Sequence, residues 1–180
     1  MKTRTKALLT VACALLLVVA TVFGTVAYLT AKTDTVTNTF TVGKVGIDLD
    51  ETTTTYNIVP GVDIAKDPAV TVDANSEDSW VFVKVEESTN WADAKVSYTI
   101  ADGWTQGDGT NIPKNVYYRE YGKTATDKTY AVLKDNKVTV SADLTSAEVA
   151  ALTTNPTLSF TAYAVQKAGL TAAAAWAEVA

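Results

Sequence analysis

Apolar and polar residues alternate along most of the chain after residue 27. Val45, Ile47 and Leu49, for example, are separated by Gly46 and Asp48. A repeat of two places the apolar side chains on one face of a β-strand and the polar side chains on the other. The chain also contains about thirty Thr, many beside Val, and these β-branched residues favour strands over helices. Further strands are predicted near residues 70–72, 80–86, 96–100, 116–121, 129–133, 137–141 and 158–164.

The segment 80–86 departs from simple alternation. Val81, Val83 and Val85 share one face, while Trp80 and Phe82 begin the other. A strand that is apolar on both faces is typical of the middle of a sheet, covered on both sides. We therefore predict that this strand is central.

Two short helices are predicted among the strands. Thr145 and Glu148 have capping-box spacing before an apolar run, and Asn155-Pro156 ends that run. Thr171 can cap a second helix over residues 172–179. Many short strands with these helices predict an all-β fold, a β-sandwich of jelly-roll type.

The N-terminus has the pattern of a secretory signal peptide. Lys2, Arg4 and Lys6 precede the uncharged residues 7–26, and small residues lead up to Ala27. Cleavage between Ala27 and Tyr28 is predicted, and an uncleaved membrane anchor is the alternative. Either outcome places the rest of the chain outside the cell. The predicted parts are a signal peptide at 1–27, an N-terminal segment at 28–43 and a β-sandwich domain at 44–180.

Composition excludes several kinds of chemistry. The 27-residue leader holds three of the 15 basic residues and none of the 20 acidic ones, so the remaining 153 residues carry a net charge of about −8. This balance argues against nucleic-acid binding. The chain has no His, and its single Cys lies in the leader, which excludes a His-based triad, a His-ligated zinc and a disulfide after cleavage.

Acidic clusters offer a possible calcium site, since Ca²⁺ prefers oxygen ligands. No cluster has the spacing of a known calcium loop, so solvated acids at turns are the favoured interpretation. Glu86 and Glu87 are adjacent on a strand and point to opposite sides, which argues against a glycosidase pair. The acidic and amide candidates are Asp48, Asp50, Glu51, Asp102, Asp108 and Asn111.

Aromatic and lysine side chains leave two further alternatives. Four aromatic residues could form a sugar-stacking face, although a role in the core is favoured; they are Trp104, Tyr117, Tyr118 and Tyr121. Lys66, Lys84 or Lys95 could form an isopeptide cross-link with a nearby Asn or acid, but the sequence does not place the third acid that this reaction needs.

Several motifs together resemble the TasA/camelysin (CalY) family of secreted proteins from Gram-positive bacteria. The match spans most of the chain, and the combination of the leader, N-T-F and P-G followed by K-D-P carries it. The motifs are residues 27–30, 38–43, 45–49, 60–61, 66–72, 79–85 and 161–166.

The resemblance implies a jelly-roll subunit of extracellular fibres in a biofilm matrix, whose leader is cut by a signal peptidase of the SipW type. It also implies that the N-terminal segment of one subunit inserts as a strand into its neighbour. Residues 28–42 suit this role because they are Thr-rich and contain neither Pro nor Gly. The side chains expected to face the neighbour are Val36, Asn38, Phe40 and Val42.

The expected partners are therefore copies of the same chain, joined head to tail, with an accessory matrix or anchoring protein as a further possibility. No enzymatic activity and no cofactor are expected. One alternative is a monomeric surface domain that binds a protein or polysaccharide. Camelysin relatives have also been classed as metallopeptidases, but this chain has no His and no H-E-x-x-H motif.

Overall fold

The computed structural model describes residues 5–8, 10–16 and 44–179. The chain divides into two units, Met1–Thr41 and Val42–Ala180. In the first unit, the described residues are helical. No described helix has the length and apolar character that a bilayer crossing requires. The predicted cleavage site at Ala27 and Tyr28 and the predicted assembly strand lie outside the described residues.

Three antiparallel sheets form the second unit. The first has the order β1-β3-β8, the second β10-β4-β7-β6 and the third β2-β9-β5. The prediction of an all-β chain is thus confirmed. The strands are β1 Ile47–Asp50, β2 Asp63–Ala65, β3 Ala69–Val72, β4 Ser79–Glu87, β5 Val96–Ser97, β6 Thr105–Gln106, β7 Val116–Tyr121, β8 Thr129–Ala131, β9 Lys137–Val140 and β10 Leu158–Gln166.

Strand β4 is central, as predicted, with β10 on one side and β7 on the other. Its residues Val81 and Val83 are 0% exposed and pack with Val70 and Val72 of β3, so the first and second sheets share a core. Phe82, on the opposite face, is also 0% exposed. Burial of both faces explains why alternation of apolar and polar residues is lost in this segment.

The two predicted helices are present as α1, Ser146–Ala151, and α2, Ala172–Ala177. The Thr145 hydroxyl accepts a hydrogen bond from the Glu148 amide at 3.2 Å, and the Glu148 carboxylate accepts from the Thr145 amide at 2.9 Å. This is the predicted capping box. Helix α2 covers the outer face of the second sheet, where Trp176 packs 5.4 Å from the ring of Phe82.

The strand predicted over 96–100 is shorter in the structure. It leaves the third sheet after Ser97, and Ile100 instead forms a bridge with Leu133. Two backbone hydrogen bonds hold this segment beside residues 132–134. The Thr99 carbonyl accepts from the Lys134 amide, and the Ala101 amide donates to the Val132 carbonyl. The segment therefore connects the third sheet to the end of β8.

Candidate assembly edge

Strand β10 lies at one edge of the second sheet. Alternate residues direct their backbone N–H and C=O groups toward β4 and away from it. The Ser88 amide donates to the Thr157 carbonyl at 2.9 Å, and the Lys167 amide donates to the Asp78 carbonyl at 2.8 Å. Because backbone direction alternates along a strand, the odd-numbered residues of β10 pair with β4. The even-numbered residues direct their N–H and C=O groups away from the sheet, and they are Leu158, Phe160, Ala162, Ala164 and Gln166.

Within residues 44–179, these outward backbone groups of β10 have no hydrogen-bond partner. The strand is nine residues long and contains neither a charged residue nor proline. Proteins usually protect an edge strand by making it short, by placing charges or proline on it, or by covering it. Strand β10 is neither short nor charged, and no described strand pairs with its outer side, so among the described residues it offers a template for another strand.

The other edge strands of the described chain are protected. Strand β1 has four residues and carries the exposed carboxylates of Asp48 and Asp50. Strand β2 has three residues, including exposed Asp63, while β5 and β6 have two residues each. The free side of β8 is covered by Trp104. Among the described strands, a long uncharged edge is therefore found only at β10.

The core shared by the first two sheets is only partly shielded from solvent along β10. Its inward-facing residues, among them Phe160 and Ala162, pack against the core shared by the first two sheets but are only partly buried. Ile47 and Leu49 of β1 are likewise partly buried against this core. Strand β1 lies beside β10. A strand added to β10 would cover apolar surface there in addition to pairing its backbone.

A buried ion pair lies close to this edge. The Lys66 ammonium is 2.5 Å from the Glu51 carboxylate, and these side chains are 8% and 16% exposed, respectively. It also lies 5.3 Å from the ring centroid of Phe160 on β10. The Tyr56 hydroxyl donates to the same carboxylate at 2.7 Å, and burial, followed by this contact, raises the pKa of Tyr56. The charge of Lys66 is thus matched by Glu51, so the edge faces no unpaired cation here.

The acidic residues predicted from sequence are separated in the fold. Asp108 accepts hydrogen bonds from the amides of Thr110, Asn111 and Ile112, which close the loop after β6 and lower the pKa of Asp108. Asp102 lies 3.9 Å from the Lys134 ammonium. Among the described residues, no group of three acidic, His or Cys side chains is arranged to hold a metal ion.

The four aromatic candidates divide between packing roles. Tyr121 is fully buried in the core shared by the first two sheets, where Trp104 and Tyr117 are partly buried. Tyr118 lies on the opposite face of β7, 6.0 Å from the ring of Trp80. These side chains are thus distributed over two faces of the sheet and do not form one sugar-stacking surface.

Each of the three lysines considered for a cross-link forms an ion pair with a glutamate. Lys84 lies 2.7 Å from Glu86, and Lys95 lies 2.8 Å from Glu148. Lys66 pairs with Glu51, as described above. Ordinary ion pairing therefore accounts for the positions of all three ammonium groups.

Glu86 and Glu87 instead line an open groove at the end of β4, with a volume of about 460 Å³. Tyr98, Lys114, Asn115 and Tyr117 complete most of its wall. Burial and the nearby Glu87 carboxylate raise the pKa of Tyr98. The groove is open, and its lining is a mixture of polar and apolar surface.

No family model, curated protein or solved structure matches the chain.

Proposed function

We propose that the protein is a secreted structural subunit of extracellular fibres, which assembles when the N-terminal segment of one subunit pairs with an edge of the next. The observation that carries the proposal is the open edge of β10. Strand β10 has nine uncharged residues, and within residues 44–179 the outward backbone groups of five of them have no hydrogen-bond partner, which suits the addition of a strand. In this proposal, the domain completes its second sheet with a strand from a neighbour.

The sequence of residues 28–43 supplies a suitable strand. It contains no Pro, it alternates Thr with Val36, Asn38, Phe40 and Val42, and it directly precedes the described domain. Backbone hydrogen bonds to β10 would provide affinity, and the alternate side chains would provide fit. Because donor and acceptor are different surfaces, each added subunit presents a new acceptor, so the contact generates a filament.

The remaining details of the proposal come from the TasA/camelysin resemblance. They are a jelly-roll connection of the strands, a biofilm matrix as the location, and cleavage after Ala27 by a SipW-type signal peptidase. Cleavage would free the N-terminal segment, so assembly would begin only after export. An accessory matrix or anchoring protein would attach or initiate the fibre.

Two chain lengths test this function. A chain that begins at Tyr28 should form filaments as its concentration rises, visible by electron microscopy and by light scattering. A chain that begins at Lys44 should remain monomeric, with an unchanged circular dichroism spectrum, because it keeps the acceptor and lacks the donor. Monomers from both chains across pH and salt would remove the fibre function.

The groove lined by Glu86, Glu87 and Tyr98 supports a second candidate, a monomeric surface domain that binds a polysaccharide. Carboxylates and tyrosines around an open groove can hydrogen-bond sugar hydroxyls. Binding of soluble glycans to the chain that begins at Lys44, lost on Tyr98→Ala, would favour this candidate. Filament formation that depends on residues 28–43 would favour the first.

A further inference from the structure

The inner face of β10 changes in size along its length. Leu158 and Phe160 are large, whereas Ala162 and Ala164 are small. In the antiparallel register, Ala162 lies opposite Val83 and Ala164 lies opposite Val81, both fully buried. Among the described strands, the inner face next to these valines therefore ends at the sheet edge in the two small side chains of Ala162 and Ala164.

Strand β1 borders the space beside Ala162 and Ala164. Ile47 and Leu49 are partly buried against the same core and leave apolar surface exposed beside β10. An added strand places its inward side chains next to those of β10, with Cβ atoms about 5 Å apart across a directly opposed pair. A large side chain next to two alanines fills space that a small one would leave empty.

We infer that Phe40 of one subunit occupies this position in its neighbour, between Ala162 and Ala164 of β10 and the apolar residues of β1. The inference rests on the proposed function and specifies its contact. Phe40 is the only aromatic residue of the alternating stretch 35–42, and the alternation predicts that it shares a face with Val36 and Val42. Within this stretch it is therefore the side chain best able to fill a gap left by two alanines.

A large side chain placed on β10 itself tests this contact, since it would occupy the space proposed for Phe40 of the neighbour. The test uses the chain that begins at Tyr28. Ala164→Phe should raise the concentration for half-assembly by about 100-fold, because the new ring takes the place of Phe40. Its melting temperature should be unchanged or higher. Ser159→Phe adds the same ring on the exposed outer face of β10 and should assemble like the parent chain.

The reciprocal change provides a rescue. Phe40→Ala alone should weaken assembly to a similar degree, and combining it with Ala164→Phe should restore part of the loss. Additive losses in the double variant would overturn the contact, since they would mean that the two rings do not occupy one position.

Disulfides between introduced cysteines show whether residue 40 contacts β10 of a neighbouring subunit or of its own chain. No other Cys is present after residue 27. Oxidised Phe40→Cys/Ala162→Cys should give a ladder of disulfide-linked oligomers, and Phe40→Cys/Ser159→Cys should give none. A linked monomer would overturn the inference by placing Phe40 on its own β10. Filaments that are unaffected by Ala164→Phe would overturn the contact and leave the fibre function standing. Absence of filaments from the parent chain would overturn both.

Discussion

The indole Nε1 of Trp104 donates a 2.9 Å hydrogen bond to the backbone carbonyl of Ala131. This carbonyl points away from β3. The Lys128 carbonyl and the Val132 amide hydrogen-bond to Val72 and Pro68, so the even-numbered residues here face β3 and Ala131 faces the other side. The side chain therefore occupies the free edge of β8. Within residues 44–179, one sheet edge is thus covered, while no strand pairs with the longer edge of β10.

Trp104→Phe tests the covering of β8. The substitution keeps an aromatic ring and removes the hydrogen bond, so we expect a loss of about 1 kcal/mol in the free energy of unfolding. Urea denaturation of the chain that begins at Lys44 measures this loss. Filament formation by the chain that begins at Tyr28 should be unchanged, since β10 is untouched. Loss of filaments without loss of stability would show instead that the β8 edge takes part in assembly.

The Glu51–Lys66 pair gives a prediction about stability. Glu51→Gln leaves the Lys66 ammonium buried without its counter-charge, and we expect a loss of about 3 kcal/mol in the free energy of unfolding. The double change Glu51→Leu/Lys66→Met removes both charges and should recover most of that loss. Denaturant titrations of the two variants make the comparison. Equal stability of Glu51→Gln and the parent chain would mean that solvent already screens the pair.

Asp108 predicts a sensitivity to acid. Hydrogen bonds from three backbone amides and from the Asn111 side chain hold the pKa of Asp108 well below its ordinary value of 3.8. Since the pKa is lower in the folded state, this carboxylate contributes stability above about pH 4, and the contribution is lost as the pH falls through and below that value.

Asp108→Asn is the matched variant, because its amide keeps one acceptor oxygen and cannot titrate. We expect it to be less stable than the parent chain at pH 7 and to approach the parent as the pH falls to 2. Glu148, whose pKa is lowered to about 2 mainly by Lys95, titrates in the same window in both chains. The difference between the two melting curves therefore isolates Asp108, and a difference that does not change with pH would contradict its assignment.

Local chemistry made part of the fold predictable. The two apolar faces of residues 80–86 identified the central strand, and the spacing of Thr145 and Glu148 identified the start of α1. Strands β2 and β6 were missed because two or three residues are too few to show alternation. Glu51 followed Asp48 and Asp50 in sequence and was grouped with them, but the fold turns it toward Lys66, fifteen residues away.

The candidate site depended on topology. The run LSFTAYAVQ shows its lack of charge in the sequence, but that property matters only because β10 lies at a sheet edge. Sequence alternation alone does not distinguish an edge strand from a central strand with small neighbours. The proposed donor residues, by contrast, are predicted from the sequence, and the proposed acceptor edge rests on the order of the described strands.

One comparison tests most directly whether the β10 edge is the assembly surface. Ala162→Lys places an inward-pointing charge at that edge, a change that blocks strand addition. Ser159→Lys places the same charge on the exposed outer face, opposite Glu86. In the chain that begins at Tyr28, we predict that Ala162→Lys remains monomeric at concentrations where Ser159→Lys and the parent form filaments, with matching circular dichroism spectra for all three. Equal filament formation by a folded Ala162→Lys chain would contradict the account.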